Sequence, residues 1–238
     1  MNNQNWATIL SFRLFTAVNV QAARLLEGTA GHTPRRLIQP VWQTPLFKIP
    51  RLTRRPHKRF FMSSPLSSYS VRPATARDAK AIADIHVATW KAAYSALMPE
   101  DFLKAMTVEK RLAFWKEAIE YSEPQTLVAV ADNQVMGFVG FDRSRDPGTR
   151  STVGEIWALY MAPGHMRQGG GVALWDGARD GLKEEGCTQV TAWVLLNNAP
   201  GMSFFEHSAG FKREMPSLRT TAFGTARLEE IRLKRAVD

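Results

Sequence analysis

Three consecutive glycines, Gly169-Gly170-Gly171, follow Arg167-Gln168 and stand directly before a stretch with helical periodicity. The run ahead of them, Glu155–Met161, reads as a strand and is stopped by Pro163. A strand, a glycine loop and a helix start, in that order, can bind an anion. The first N–H groups of a helix have no partner inside it and lie at the positive end of its dipole. Glycine lets that backbone approach a phosphate closely, Arg167 adds positive charge, and a pyrophosphate is the natural guest. The same run also serves as a plain strand-to-helix connection, and these residues alone leave both readings open. The loop is not a Walker A motif, since no Gly-Lys-Ser/Thr follows, and it lacks the first parallel strand of a Rossmann unit.

The elements that must position this loop can be read outward from it. Ser70–Arg72 is a short strand, and Thr75-Ala76-Arg77-Asp78 has the form of a capping box. The helix after it carries Ile82, Ile85, His86, Thr89, Trp90 and Ala93 on one face. A second helix near Glu109–Tyr121 points Leu112, Trp115 and Ile119 inward. Thr126–Ala131 and Val135–Phe141 form a hairpin turning at Asp132-Asn133, and residues 143–153 are a polar loop. Gly171–Glu185 is a helix closed by Gly186. Val190–Leu196 is a strand, Asn198–His207 a short helix, and Phe211 opens a last strand pair ending at Leu228–Leu233. The order β-α-α-β-β-β-α-β-α-β-β predicts an α+β domain around one mixed, mostly antiparallel sheet flanked by helices.

The charge is divided unevenly. Of 238 residues, 31 are Lys or Arg and 22 Asp or Glu. Residues 1–62 hold ten of the bases and only one acid, Glu27, so the whole excess of +9 sits there. Pro34, Pro40, Pro45, Pro50 and Pro56 exclude a long helix over 33–58, and Met62–Ser68 reads as a linker. We therefore divide the chain into a loosely ordered extension, 1–68, and a domain, 69–238. The extension has three readings: a non-native addition with Met62 the true start, a mitochondrial transit peptide, or a basic arm for nucleic acid or an anionic surface. The first makes the protein cytoplasmic, with mitochondrial location as the alternative. One cysteine, Cys187, excludes a disulfide framework and a multi-thiolate zinc site, and no apolar run is long enough to span a bilayer.

Four blocks in order make residues 70–235 resemble the GNAT superfamily of N-acetyltransferases. They are Val71-Arg72-Pro73-Ala74-Thr75 with Trp90, Tyr94 and Met98-Pro99; the hairpin into Gly137-Phe138-Val139-Gly140; Met166–Gly171, which is similar to the family's acetyl-CoA loop; and Asn198 through Phe204-Phe205-Glu206 to Gly210-Phe211. The resemblance implies acetyl-CoA as co-substrate, no metal, an amine acceptor, and the dimerisation common in the family. It places Met166, Arg167, Gln168, Gly169, Gly170 and Gly171 around the pyrophosphate, with Val172 and Ala173 beneath it. It sets the strand Ala158–Met161 apart from Thr191–Leu196, so that freed main-chain groups pair with the pantetheine arm, and puts Asn198 beside that arm. Glu155 stands where many members carry the general base, with an ordinary ion pair as the other reading. Backbone N–H groups near Leu159–Met161 would stabilise the oxyanion.

Three departures bear on mechanism. Phe205 replaces the tyrosine that commonly protonates the leaving thiolate, leaving Tyr160 or water to serve. Met166 stands at a Gln/Arg position. The stretch Glu206-His207-Ser208-Ala209-Gly210 is one residue longer than the pattern, which brings His207 or Ser208 toward the site, although a solvated helix end is the plainer reading of His207. On the acceptor side, Trp90, Tyr94 and Trp115 either line a cleft or fill the core. Glu100, Asp101, Glu229 and Glu230 either attract a cationic amine or serve only structure. The leading function is acetyl transfer to a primary amine of a small molecule, peptide or protein. Its rivals are a non-catalytic acetyl-CoA-binding domain and a nucleic-acid binder dependent on the basic arm.

Overall fold

A computed structural model describes residues 69–237. The basic segment 1–62 and the linker lie outside the described residues, and with them the three readings of the extension. The elements are β1 (Ser70–Pro73), α1 (Ala79–Tyr94), α2 (Glu100–Ala105), α3 (Val108–Tyr121), β2 (Gln125–Ala131), β3 (Gln134–Arg143) and β4 (Val153–Met161). There follow α4 (Gly170–Glu184), β5 (Gln189–Leu195), α5 (Ala199–Ser203), β6 (Lys212–Arg213), β7 (Arg219–Phe223) and β8 (Ala226–Ala236). One eight-stranded sheet runs β1-β2-β3-β4-β5-β8-β6, with β7 also on β8. Only β4 and β5 are parallel; every other pair is antiparallel. This is the α+β architecture expected from the element order.

Strand alternation builds two layers on the sheet, because successive side chains point to opposite faces. Val128 and Phe138 meet Ile82 and Ile85 of α1 and Trp115 of α3 on one face. Their neighbours Leu127 and Val139 meet Leu174, Trp175 and Ala178 of α4 on the other. The β2–β3 turn has Asp132 and Asn133 at φ 48° and 60°, the left-handed pair that a two-residue hairpin needs. Asp78 accepts from the Thr75 backbone N–H at 2.7 Å and from two nitrogens of Arg72 at 2.7 and 2.9 Å, which anchors the entry to α1.

Local departures from the expected elements have local causes. A short 3-10 turn, Ala76–Asp78, precedes α1. Ala93 is exposed and Tyr94 takes the inward place one residue on. Helix α2 and strand β6 are six and two residues long, too short to show a period. The helix expected over Asn198–His207 divides into α5 and a π turn, Phe204–Ser208, closed by the Ala209 N–H on the Phe204 carbonyl at 2.9 Å.

Candidate active site

Strands β4 and β5 are paired only from Val153↔Gln189 to Ile156↔Ala192. Beyond that point β4 stays with β3 as far as Met161↔Gly137, while β5 stays with β8 through Leu195↔Glu230. The register on β3 passes from Ile156↔Phe141 to Ala158↔Gly140, so Trp157 is the extra residue of a bulge. A bulge bends its strand and leaves the ladder locally open. Among the described residues the edge of β4 that faces β5 over 157–161 has no strand partner, and a cleft of about 1170 Å³ opens there. Leu159, Tyr160, Met161, Trp193, Val194 and Leu195 line it, and the strands part here as the family resemblance implies.

At one end of the cleft lies the glycine loop. Arg167 and Gly169 hold left-handed backbone, φ 60° and 87°, and Gly169 caps α4. The first backbone bond onto the cap is Ala173 N–H to the Gly169 carbonyl, 3.0 Å, which leaves the N–H groups of the first helical turn without helical partners. Met166, Arg167, Gly169, Gly171 and Val172 line the cleft. Gln168 does not: its amide donates to the Gly164 carbonyl at 2.9 Å and accepts from the Tyr69 hydroxyl at 3.0 Å, so it braces the loop. Gly170 is buried, and a Cβ there would come within 2.5 Å of the Met161 terminal methyl. A side chain at 170 would therefore have to displace the end of Met161. Ala173 packs toward the core.

The middle of the cleft is aromatic. Trp90 and Tyr94 of α1 line it, whereas Trp115 is wholly buried and donates to His86 Nδ1 at 3.1 Å in the core. Trp90 Nε1 donates to the Tyr160 hydroxyl at 2.9 Å, and Asn198 Nδ2 donates to the Tyr94 hydroxyl at 2.9 Å. Burial raises the pKa of both phenols, so each keeps its proton near neutral pH. Asn198 also caps α5, its Oδ1 accepting from Gly201 N–H at 3.0 Å.

The far wall is charged and comes from distant segments. Glu155 is 1% exposed, and Arg145 binds both of its oxygens. The Arg145 backbone N–H reaches Oε2 at 2.9 Å, its Nε the same oxygen at 3.3 Å, and its guanidinium lies 4.0 Å over the Trp157 ring. Asp146 accepts from Trp193 Nε1 at 3.0 Å and from Arg232 at 2.8 Å. Glu230 Oε1 accepts from Arg219 at 2.6 and 2.7 Å and from Thr221 at 2.7 Å. Glu229, Glu100 and Asp101 are exposed and do not line the cleft, and Glu100 pairs with Lys104 at 2.7 Å. Arg145, Asp146, Trp193 and Arg219 carried no signal in the sequence, because nothing in a polar loop or an edge strand marks its contact across the sheet.

The profile of the acetyltransferase (GNAT) family matches residues 81–211, more than half of the chain. The chain belongs to the GNAT family. The N-acetyltransferase YuaI of Bacillus subtilis (strain 168), itself uncharacterized, is 31% identical over 142 residues, covering 58% of this chain and 77% of that protein. Among solved structures, yncA of Salmonella typhimurium with its cofactor acetyl-CoA aligns with TM-score 0.56 at 23% identity, over 71% of this chain and 94% of that one. PaiA N-acetyltransferase of Thermoplasma acidophilum in complex with coenzyme A aligns with TM-score 0.53 at 17% identity, over 71% and 98%.

As a GNAT acetyltransferase, the chain accommodates its longer final motif in the π turn. The extra residue is absorbed between Phe204 and Ala209, after which Phe211 N–H bonds the Phe205 carbonyl at 2.8 Å. Phe205 sits edge-on to Phe204 and Phe211 and lines the cleft. His207 is exposed and Ser208 reaches the cleft lining. Cys187 is buried, and burial raises its thiol pKa, which is the environment of an inert thiol. Among the described residues no group of His, Cys, Asp and Glu has the form of a metal site, and no helix is long and apolar enough to cross a membrane.

Proposed function

We propose that this acetyltransferase transfers the acetyl group of acetyl-CoA to a primary amine. The observation that carries the reading is continuity: the open edge of β4 runs straight into the free N–H groups at the start of α4, within one cleft. An extended amide-bearing arm pairs with such an edge as an added strand does, and its pyrophosphate reaches the helix start and Arg167. The acetyl-CoA and coenzyme A bound to the Salmonella and Thermoplasma proteins support the same choice.

The amine nitrogen attacks the thioester carbon, the C–N bond forms, and the C–S bond breaks. A lysine-like amine has a reference pKa of about 10.4 and must lose a proton first. Glu155, one residue before the last β4–β5 pair, is the proposed base. Because Arg145 covers both of its oxygens, the proton reaches it through a water at the rim of the pair. Backbone N–H groups near Leu159–Met161 hold the oxyanion. Tyr160, which accepts from Trp90 and keeps its own proton, is the donor proposed for the thiolate, since Phe205 has none to give. A thiol pKa of about 8.5 makes that assistance modest.

Residues 69–238 form the transferase domain in this reading, with 1–68 an extension outside the chemistry. Calorimetric titration of acetyl-CoA into the full chain, followed by turnover with a panel of primary amines, is the test. Glu155→Gln is expected to lower kcat about 10²-fold or more, the usual size of general-base catalysis, with acetyl-CoA affinity unchanged. Full turnover in that variant removes Glu155 from the mechanism. A second reading, a non-catalytic acetyl-CoA-binding domain, is favoured by Phe205 and Met166; it predicts coenzyme binding with no amide formed from any amine.

A further inference from the structure

We infer that Glu230 is the seat of the acceptor's ammonium group, and that the acceptor is a primary ammonium on an apolar alkyl or aryl body. The inference rests on the amine reading above and specifies its substrate class. Three acidic side chains line the cleft, Asp146, Glu155 and Glu230, and they differ in what remains free. Both oxygens of Glu155 are taken by Arg145, and both of Asp146 receive Trp193. At Glu230 all three donors converge on one oxygen: Arg219 Nε and Nη2 and the Thr221 hydroxyl bind Oε1. Oε2 accepts no hydrogen bond among the described residues, and it is not one of the sealed, unpartnered polar atoms of the interior.

Such a carboxylate is locked in orientation by one oxygen and offers the other. Three bonds on Oε1 fix the rotamer, so an incoming cation loses little freedom in ordering the side chain. The Glu230 side chain is 9% exposed and Arg219 is 40% exposed. Arg219 pairs with the carboxylate through Oε1 alone, and its guanidinium is held 3.7 Å over the Trp193 ring, so the ion pair fixes one oxygen and leaves the Oε2 side of the carboxylate toward the cleft.

The surroundings decide the rest of the ligand. Glu230 is the register partner of Leu195, in the segment where β5 has left β4. Paired residues of an antiparallel ladder share a face, so Glu230 sits on the side where Leu195 packs with Tyr94 and Phe223. All of these line the cleft. An ammonium on Oε2 thus has an aromatic and aliphatic wall for its carbon body and the open edge of β4 across the cleft.

The test is calorimetric titration of phenethylammonium, at pH 7, into the full chain saturated with coenzyme A, so that nothing is transferred. Wild type is expected to bind phenethylammonium at least tenfold more tightly than the uncharged phenethyl alcohol. Glu230→Gln is expected to lose at least tenfold in phenethylammonium affinity while keeping its coenzyme A affinity, which also shows that the variant is folded. Equal affinity of wild type and Glu230→Gln for the ammonium, or no preference for it over the alcohol, overturns the seat. The two readings fail separately. Glu230-dependent binding with no amide formed from acetyl-CoA leaves the seat and removes the transferase reading; turnover of amines insensitive to Glu230→Gln does the reverse. If coenzyme A does not bind, the same titrations on the chain alone read the seat.

Discussion

The two ends of the cleft are built by different means. At the α4 end, the cleft is lined by one contiguous stretch, Met166–Val172, in which main-chain N–H groups are left free, Gly169 and Gly171 bring no side chain, Gln168 braces the loop and Arg167 supplies the charge. At the β8 end, the groups are side chains drawn from the 143–153 loop, β4, β5, β7 and β8, each held by an ion pair or a ring. The first end depends on backbone geometry and tolerates an exposed Met166. The second depends on charges matched across more than eighty residues of chain, as in Arg232 with Asp146.

The largest expected effect tests the side-chain end. Arg145→Ala leaves the Glu155 carboxylate unpaired and buried, and removing one member of a buried pair costs about 3–5 kcal/mol. Chemical denaturation should show that loss, and Arg145→Met with Glu155→Met should recover most of it. A loss below about 1 kcal/mol would mean that the wall does not depend on matched charge. At the backbone end, Gly171→Asp places a carboxylate among the free N–H groups and brings a Cβ to 3.2 Å from Phe204. Acetyl-CoA affinity should fall about 100-fold, or about 2.8 kcal/mol, by calorimetry, with phenethylammonium binding within twofold of wild type. If both ligands weaken together, the ends are not independent.

Asn198 joins the two ends, capping α5 while donating to Tyr94. Asn198→Ala should cost about 1 kcal/mol of stability, the ordinary value of a helix cap, and raise KM for both substrates, unlike either change above. The smallest effect belongs to a pair outside the cleft. The hydrogen bonds of Arg72 are the main cause that lowers the Asp78 carboxyl to about 2. A lowered pKa contributes stability that is present above the unfolded value and lost as pH falls toward the folded one. The urea midpoint of wild type should therefore drop between roughly pH 4 and pH 2 by more than that of Asp78→Asn, with neither cleft ligand affected at neutral pH.

Legibility in the sequence follows the same division. The β2–β3 hairpin was readable because Asp132-Asn133 alone supplies its two left-handed residues, and α4 because its glycine start and Gly186 end are local signals. The glycine loop at the helix start was readable for the same reason, although Gln168 turned out to brace it and Gly170 to lie against Met161. Trp90, Tyr94 and Trp115 share one kind of periodicity, yet only the first two reach the cleft. Glu229 and Glu230 are adjacent and identical in type. Strand alternation puts one in water and the other in the wall, and the assignment depends on the register with β5.

The sequence by itself determined the order of the longer elements, the β2–β3 turn, the glycine loop and the family, because each of these is a property of contiguous residues and their spacing. Only the tertiary structure decided where β4 leaves β5, that a π turn takes up the extra residue before Gly210, and which acids are clamped and which keeps an oxygen open. Those are outcomes of register and of long-range pairing, where a shift of one residue turns a side chain to the opposite face, and no local pattern in the chain records that choice.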